Sequence, residues 1–394
     1  PHDVLLDAVE KGGISIFGSN ELDSKLREAI PTQRCVKLVA KGGTLRVESS
    51  TSKASSVFTC KNEALKVEKD GELGVDAVEL KAYLSSIKYP HMIHLELDAS
   101  KTEEATGGQE DAIIPLGKVE LMAVNDVGTK SLKKKLTAYS PSDFVNPPYP
   151  DGVAPVLSVK SKAFSDAIVA VSFASGEDQF TEIFNHMCLV SVGGITHMAA
   201  TDNKRAALTT LDSSVCSGDT DKRPILVETK LAKQMIKGLP VDESNIDIIL
   251  DPDDEHVVFR TDTMMVRASM PPAPVRAKFP TFANAINMPV GASAVFTPKR
   301  EIDQTISGIM KDSTSDIAVF KIETGAETVE IGGWNAATSG EARCQKIGVG
   351  LKSPIFLSIG FVSDVIREIK SDSVVFSFSS DERRVIIHSA ESKN

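Results

Sequence analysis

Apolar residues recur along the chain at two spacings, and their alternation sets out three copies of one plan. Within residues 14–30 the positions Leu22, Leu26 and Ile30 fall at helical spacing. Phe164, Ile168 and Val171 do the same within 157–173, and Ile302, Ile306 and Ile309 within 294–310. Each window opens on a short strand-like run, so each predicts a strand, a tight turn and a helix with one apolar stripe. A second strand–helix pattern follows at 73–87, 225–239 and 357–369, displaced from the first by 59, 68 and 63 residues. Such regular displacement marks internal repetition. Alternating runs come after each second helix, at 94–97, at 246–250 with 257–260, and at 374–378 with 384–388. With acidic turns such as Asp251-Pro252-Asp253-Asp254 they predict antiparallel hairpins.

Two helices and many short strands per copy predict an α+β architecture, with helices covering one face of antiparallel sheets. The Pro-rich connector at 146–152 and a second at 287–291 divide the chain into 1–152, 153–289 and 290–394. Residues 99–111 read as a solvated hairpin insertion. Gly42-Gly43, Gly107-Gly108 and Gly193-Gly194 stand between strand-like runs and in no phosphate-binding pattern, so they predict hairpin turns.

Composition narrows the chemistry. The 394 residues are 41% hydrophobic and 25% charged, ordinary for a globular chain. A net charge of −10 excludes a uniformly basic nucleic-acid binder, but not a basic surface within an acidic protein. Aromatics are 5% with a single Trp334, which argues against a platform that stacks bases. Cys35, Cys60, Cys188, Cys216 and Cys344 are scattered, odd in number and without CxxC, so neither a disulfide framework nor a zinc cage is expected. No apolar run approaches the ~20 residues that cross a bilayer. Pro1–Val4 do not open a basic stretch followed by an apolar one. A cytoplasmic protein without membrane contact is the expectation. His91 and His94 have no third ligand at metal spacing, and no nucleophile–base set is visible. No cofactor, metal or catalytic activity is therefore expected. An enzyme using the Thr201–Arg205 loop and a structural repeat protein that binds only other proteins are the alternatives.

Three tandem copies in a chain of this length resemble the bacterial DNA polymerase III beta subunit, the DNA sliding clamp. The most specific stretch is Ala199-Ala200-Thr201-Asp202-Asn203-Lys204-Arg205-Ala206-Ala207, similar to the family's A-T-D-G-H-R-L-A. Lys278-Phe279-Pro280-Thr281-Phe282 resembles its R-F-P-D-Y. Asn203, Lys204 and Ala206 depart from the family's Gly, His and Leu, and Ala283 and Asn284 replace basic residues. The family's last apolar strand is expected to be missing, since Ser389–Asn394 is polar.

The resemblance implies a non-enzymatic ring of two chains that encircles duplex DNA, with helices lining the hole and sheets outside. It implies partners too: a DNA polymerase and an ATP-driven clamp loader, held through short hydrophobic peptides. Their groove would involve Phe184, Thr201, Asn203, Lys204, Arg205, Ala206, Pro280 and Phe282. The subunit interface would involve Leu136, Ile309 and Met310, with Lys133-Lys134-Lys135 on a strand edge. A ring that slides needs a lining less acidic than its exterior. The windows 21–34, 76–88, 160–173, 228–237, 299–311 and 361–370 together carry +4, and the remainder −14. The candidate lining residues are Lys25, Arg27, Arg34, Lys81, Lys88, Lys160, Lys162, Lys230, Lys233, Lys237, Lys299, Arg300, Lys311, Arg367 and Lys370. Among them Lys230, Lys233 and Lys237 share one helical face.

Overall fold

The computed structural model describes all residues except 19–30, 89–91, 98–114, 125–129, 145–148, 151, 177–181, 222, 241, 281–288, 324–326, 335–338, 345, 348–349, 382 and 392–394. The predicted insertion at 99–111, Gly107-Gly108, His91, Lys25, Arg27 and Phe282 lie outside the described residues. The chain divides into two compact units, Pro1–Phe279 and Pro280–Asn394.

Unit 1 begins with α1 (His2–Gly12) and α2 (Ile14–Phe17). A meander follows of β1 (Cys35–Lys41), β2 (Thr44–Ser50) and β3 (Ala54–Cys60). Then β4 (Gly71–Asp76) runs into α3 (Ala77–Ser86). Next come β5 (Met92–Leu97), β6 (Pro115–Val124) and β7 (Lys130–Tyr139). The second copy starts with β8 (Leu157–Lys160) and α4 (Ser161–Ser172). Its meander is β9 (His186–Val192), β10 (Ile195–Thr201) and β11 (Ala206–Leu211), followed by β12 (Cys216–Gly218). Then β13 (Ile225–Glu228) leads into α5 (Thr229–Met235). The copy closes with β14 (Asn245–Leu250), β15 (His256–Arg260), β16 (Met264–Ser269) and the short α6 (Ala273–Arg276).

Unit 2 repeats the order. It has β17 (Val290–Phe296), α7 (Lys299–Asp312) and a meander of β18 (Ile317–Lys321), β19 (Thr328–Gly333) and β20 (Ser339–Arg343). After these stand β21 (Lys346–Ile347), β22 (Ile355–Ser358), α8 (Ile359–Glu368), β23 (Val374–Ser379) and β24 (Val385–Ser389).

The repetition is topological as well as sequential. In each copy a three-strand meander is flanked by a fourth strand that returns beside the first and runs directly into a helix. β4 pairs with β1, β13 with β9 and β22 with β18, all antiparallel. Gly42-Gly43 and Gly193-Gly194 make the tight turns of two meanders, and all four glycines have positive φ, between 57° and 80°. Within unit 1 the first two copies are joined edge to edge. β16, the last hairpin strand of copy two, pairs with β3, the last meander strand of copy one, from Met264↔Phe58 to Ala268↔Ala54. One twelve-stranded sheet results.

Helix stripes fill the space behind the sheets. Phe164, Ile168 and Val171 of α4 are buried, with Phe164 packed on Phe259 at 5.8 Å between ring centres. Ile302, Ile306 and Ile309 of α7 meet the unit 2 core around Phe296, Phe320, Phe376 and Phe378. No described helix is long and apolar enough to cross a membrane.

The first copy departs from the sequence reading. Ile14–Phe17 is helical, not a strand, and a helix that the sequence reading did not predict spans His2–Gly12, with Leu5, Ala8 and Val9 buried; the helix expected over Leu22, Leu26 and Ile30 lies outside the described residues. Gly12 lets the helix lie against β2, because a Cβ there would stand 2.4 Å from the Val47 side chain. Beyond it Ser15, Ser49 and Ser56 form a buried hydroxyl network. Ser49 and Ser56 donate to the Gly12 carbonyl at 2.7 and 2.8 Å, and the Ser15 amide donates to Ser56 at 3.0 Å.

Candidate nucleic-acid interface and partner surface

The helix cations divide by what already holds them. Lys81 pairs with Glu10 at 2.8 Å and lies 4.6 Å from the centre of the Phe17 ring. Lys162 pairs with Asp166 one turn on, at 2.9 Å. Lys160 donates to the Glu243 carbonyl at 2.8 Å, and Lys299 donates to the carbonyl of Ile369 at the end of α8. Arg34 sits in a 3₁₀ turn (Pro31–Arg34), and its Nε donates to Asp76 at 2.7 Å. Burial disfavours its charge, but the Asp76 carboxylate outweighs burial and raises its pKa. These five residues, expected on a lining, each hold a structural contact. Lys230 is exposed on α5. Lys88, Lys233, Lys237, Arg300, Lys311 and Arg367 are exposed or half-exposed and form no ion pair with a described residue.

The helix boundaries also revise the charge argument. α5 ends at Met235, so Lys237 stands in the turn beyond it and not on the helical face. α1 to α5, α7 and α8 contain nine basic and ten acidic residues. Among the described residues these helices carry no positive excess. The excess counted over the sequence windows owes much to residues that flank the helices, such as Lys160 and Lys370, and the window 21–34 lies mostly outside the described residues.

The Thr201–Ala206 loop is a closed turn joining β10 to β11. Thr201 is buried; its hydroxyl donates to the Arg205 carbonyl at 2.6 Å and accepts from the Asn203 amide at 3.1 Å. Asn203 adopts φ 70°, a left-handed position that Asn tolerates. Asp202 accepts from the amides of Lys204 (2.9 Å) and Arg205 (2.8 Å), and from Arg205 Nε (3.2 Å). The Asp202 carboxylate thus locks the turn. The Arg205 guanidinium also lies 5.7 Å from the centre of the Phe173 ring. Lys204 points free of ion pairs with described residues, and Ala206 is exposed. Half-buried Phe184 is in the 3₁₀ turn Glu182–Asn185, whose Phe184 carbonyl accepts from the Gly176 amide at 2.8 Å. A Cβ on Gly176 would lie 3.3 Å from the Phe184 side chain and 3.5 Å from that of Asp202, so this glycine brings turn and loop together. Pro280, half-buried, opens unit 2.

Among the open strand edges are those of β7 and β20. β7 pairs with β6 along its length, but with β4 only at Tyr139 and Ala138. β20 pairs with β19 alone. Leu136 is 1% exposed in the unit 1 core and Ile309 2% exposed in that of unit 2, so both side chains, expected at a subunit interface, serve their own cores. Met310 is exposed, and on β7 the exposed apolar side chain is Leu132, which sequence reasoning passed over. Lys133, Lys134 and Lys135 are exposed beside it, with Lys133 paired to Glu120.

Asp251, Asp253 and His256 converge at the β14–β15 turn. Asp251 accepts from Arg267 Nε and Nη2 at 2.9 and 2.6 Å, which makes the group a turn lock tied to β16.

A helix-over-sheet module repeated three times, with its first two copies joined edge to edge, defines the class: a modular α+β chain. The particular fold is that of the DNA sliding clamp. The DNA polymerase III subunit beta from Pseudomonas aeruginosa superposes with a TM-score of 0.74 at 18% identity, covering 99% of this chain and 95% of that one. The beta subunit from Thermotoga maritima gives 0.76 at 14%, and that from Streptococcus pyogenes 0.76 at 13%, each over 100% of this chain and 95% of the other. No family model and no curated protein sequence matches the chain.

Proposed function

We propose that this chain is a DNA sliding clamp, a non-catalytic ring of two copies that encircles duplex DNA and tethers a replicative polymerase. The observation that carries this reading is the full-length likeness in fold to beta clamps, copy for copy. The open edges support closure. Within the chain, one copy's last meander strand (β3) pairs with the next copy's last hairpin strand (β16). β20 and β7 are the equivalent strands of copies three and one, and both have room to pair. The same joint, made between two chains, adds three copies to three and closes a head-to-tail ring. In this reading the three copies act as three domains, with boundaries near 152 and 289. Polymerase and loader peptides dock beside Phe184 and the Thr201–Ala206 turn, where Lys204 is the cation able to meet an acidic residue. The test is topological: chains closed around a nicked circular plasmid stay with it and leave when it is cut.

A further inference from the structure

We propose that the joint between copies one and two is a peptide site, which seats one bulky apolar side chain in the cavity between them. The inference goes beyond the clamp reading and does not need a ring to close, because every wall belongs to unit 1. The cavity holds about 210 Å³ and opens to solvent. It is bounded by the end of α2, the β2–β3 turn, the start of α5, and the end of β16 with α6. Leu231, Met270, Pro271, Pro272 and Val275 supply apolar surface, and exposed Val275 stands at the mouth. Lys53, His186, Glu228 and Ser269 supply polar groups, with charges of both signs.

The walls are set before anything enters. The Ser269 amide donates to the Lys53 carbonyl at 2.8 Å, which ties β16 to the β2–β3 turn. The Thr51 hydroxyl accepts from the Ala54 amide at 3.1 Å and locks that turn. Arg276, 4% exposed, donates from Nη1 to the carbonyls of Pro271 (3.0 Å) and Asp254 (2.8 Å), which fixes the proline wall. A preformed site loses little to ordering when it is filled.

Size and polarity choose the occupant. A cavity of about 150 Å³ already admits benzene, whereas drug-sized ligands need about 300 Å³ or more. A volume of about 210 Å³ therefore takes one leucine or phenylalanine side chain. A hydrocarbon would set apolar surface against Lys53 and Glu228. A peptide avoids that cost, since the amides on either side of the anchor offer acceptors to Lys53 and donors to Glu228. The β2–β3 turn is also the copy-one counterpart of the Thr201–Ala206 turn, so the chain presents a second docking point built from like elements.

The test uses the full chain and the acetylated, amidated peptide Gly-Ser-Leu-Ser-Gly, its leucine replaced by the photoreactive diazirine analogue. Irradiation is expected to label the tryptic segment 268–276, which contains Met270 and Val275. The unlabelled leucine peptide is expected to compete, and its alanine form to compete at least about tenfold less well, the cost of one lost anchor. Val275→Trp, which closes the mouth from an exposed position, is expected to cut labelling of 268–276 by a similar factor while keeping the melting temperature. Labelling that misses 268–276, or that a folded Val275→Trp chain retains in full, overturns the inference. Equal competition by free leucine overturns it too, since the site would then take an amino acid and not a peptide. Retention on nicked circles is measured separately and bears on the clamp reading alone.

Discussion

At Asp76 one carboxylate serves two elements. Its Oδ1 accepts from the amides of Val78 and Glu79 at 3.0 and 2.9 Å, capping α3, and its Oδ2 accepts from Arg34. The side chain is 5% exposed, so losing it orphans both helix amides and a half-buried guanidinium. Asp76→Ala is expected to cost about 2–4 kcal/mol in denaturant unfolding, more than a cap alone. A change under about 0.5 kcal/mol, the range of a neutral surface substitution, would contradict this. Cysteines supply a pH prediction. Burial pushes the Cys188 thiol up to about 12. Burial, with the Asp76 carboxylate adding to it, pushes Cys35 to about 12 as well. In the unfolded chain a thiol ionises near pH ~8.5. Folding therefore holds both thiols neutral. Their stabilising contribution is complete below the unfolded value and is lost as pH rises towards the folded one. Unfolding free energy should fall above pH ~9 more steeply for the wild-type chain than for Cys35→Ala with Cys188→Ala. Equal slopes would show that these thiols are not protected.

Among the elements, the second helix of every copy was legible, as were α4 and α7. Their apolar stripes recur at helical spacing, and the strands before them are short and bounded. The first helix was not. Gly12-Gly13 imitates a C-terminal stop, and Ile14–Phe17 has the composition of a strand. The serine hydroxyls that hold this segment helical come from β2 and β3, 34 to 44 residues away, and no local pattern reports them. The signal within reach was Leu5, Ala8 and Val9. Of the candidate site, the Thr201–Arg205 motif was legible because a turn locked by its own side chains is a local object. The lining residues were less so, because whether a lysine is spent on Glu10 or Asp166 depends on packing. The open edge of β7 gives this scale its prediction. Successive amides along a strand point to opposite sides. Lys133→Pro and Lys134→Pro should therefore differ: one removes a ladder bond to β6 and lowers the melting temperature, the other leaves the fold and abolishes association of two chains in light scattering. Two variants that both fold and both associate normally would show that this edge makes no joint.

At the scale of the whole molecule, the proposed clamp function requires a closed ring of two chains. On that reading a chain with net charge −10 would hold DNA weakly, and its hold would be topological rather than one of affinity. Encirclement makes that distinction measurable. The two-chain ring is dissociated by dilution, reassembled around a nicked circular plasmid, separated from unbound chains by gel filtration at moderate salt, and the plasmid is then cut once. The account predicts co-elution with the intact circle and release within the time of diffusion off the new ends. Equal retention on circle and cut plasmid, or no retention on either, would contradict it.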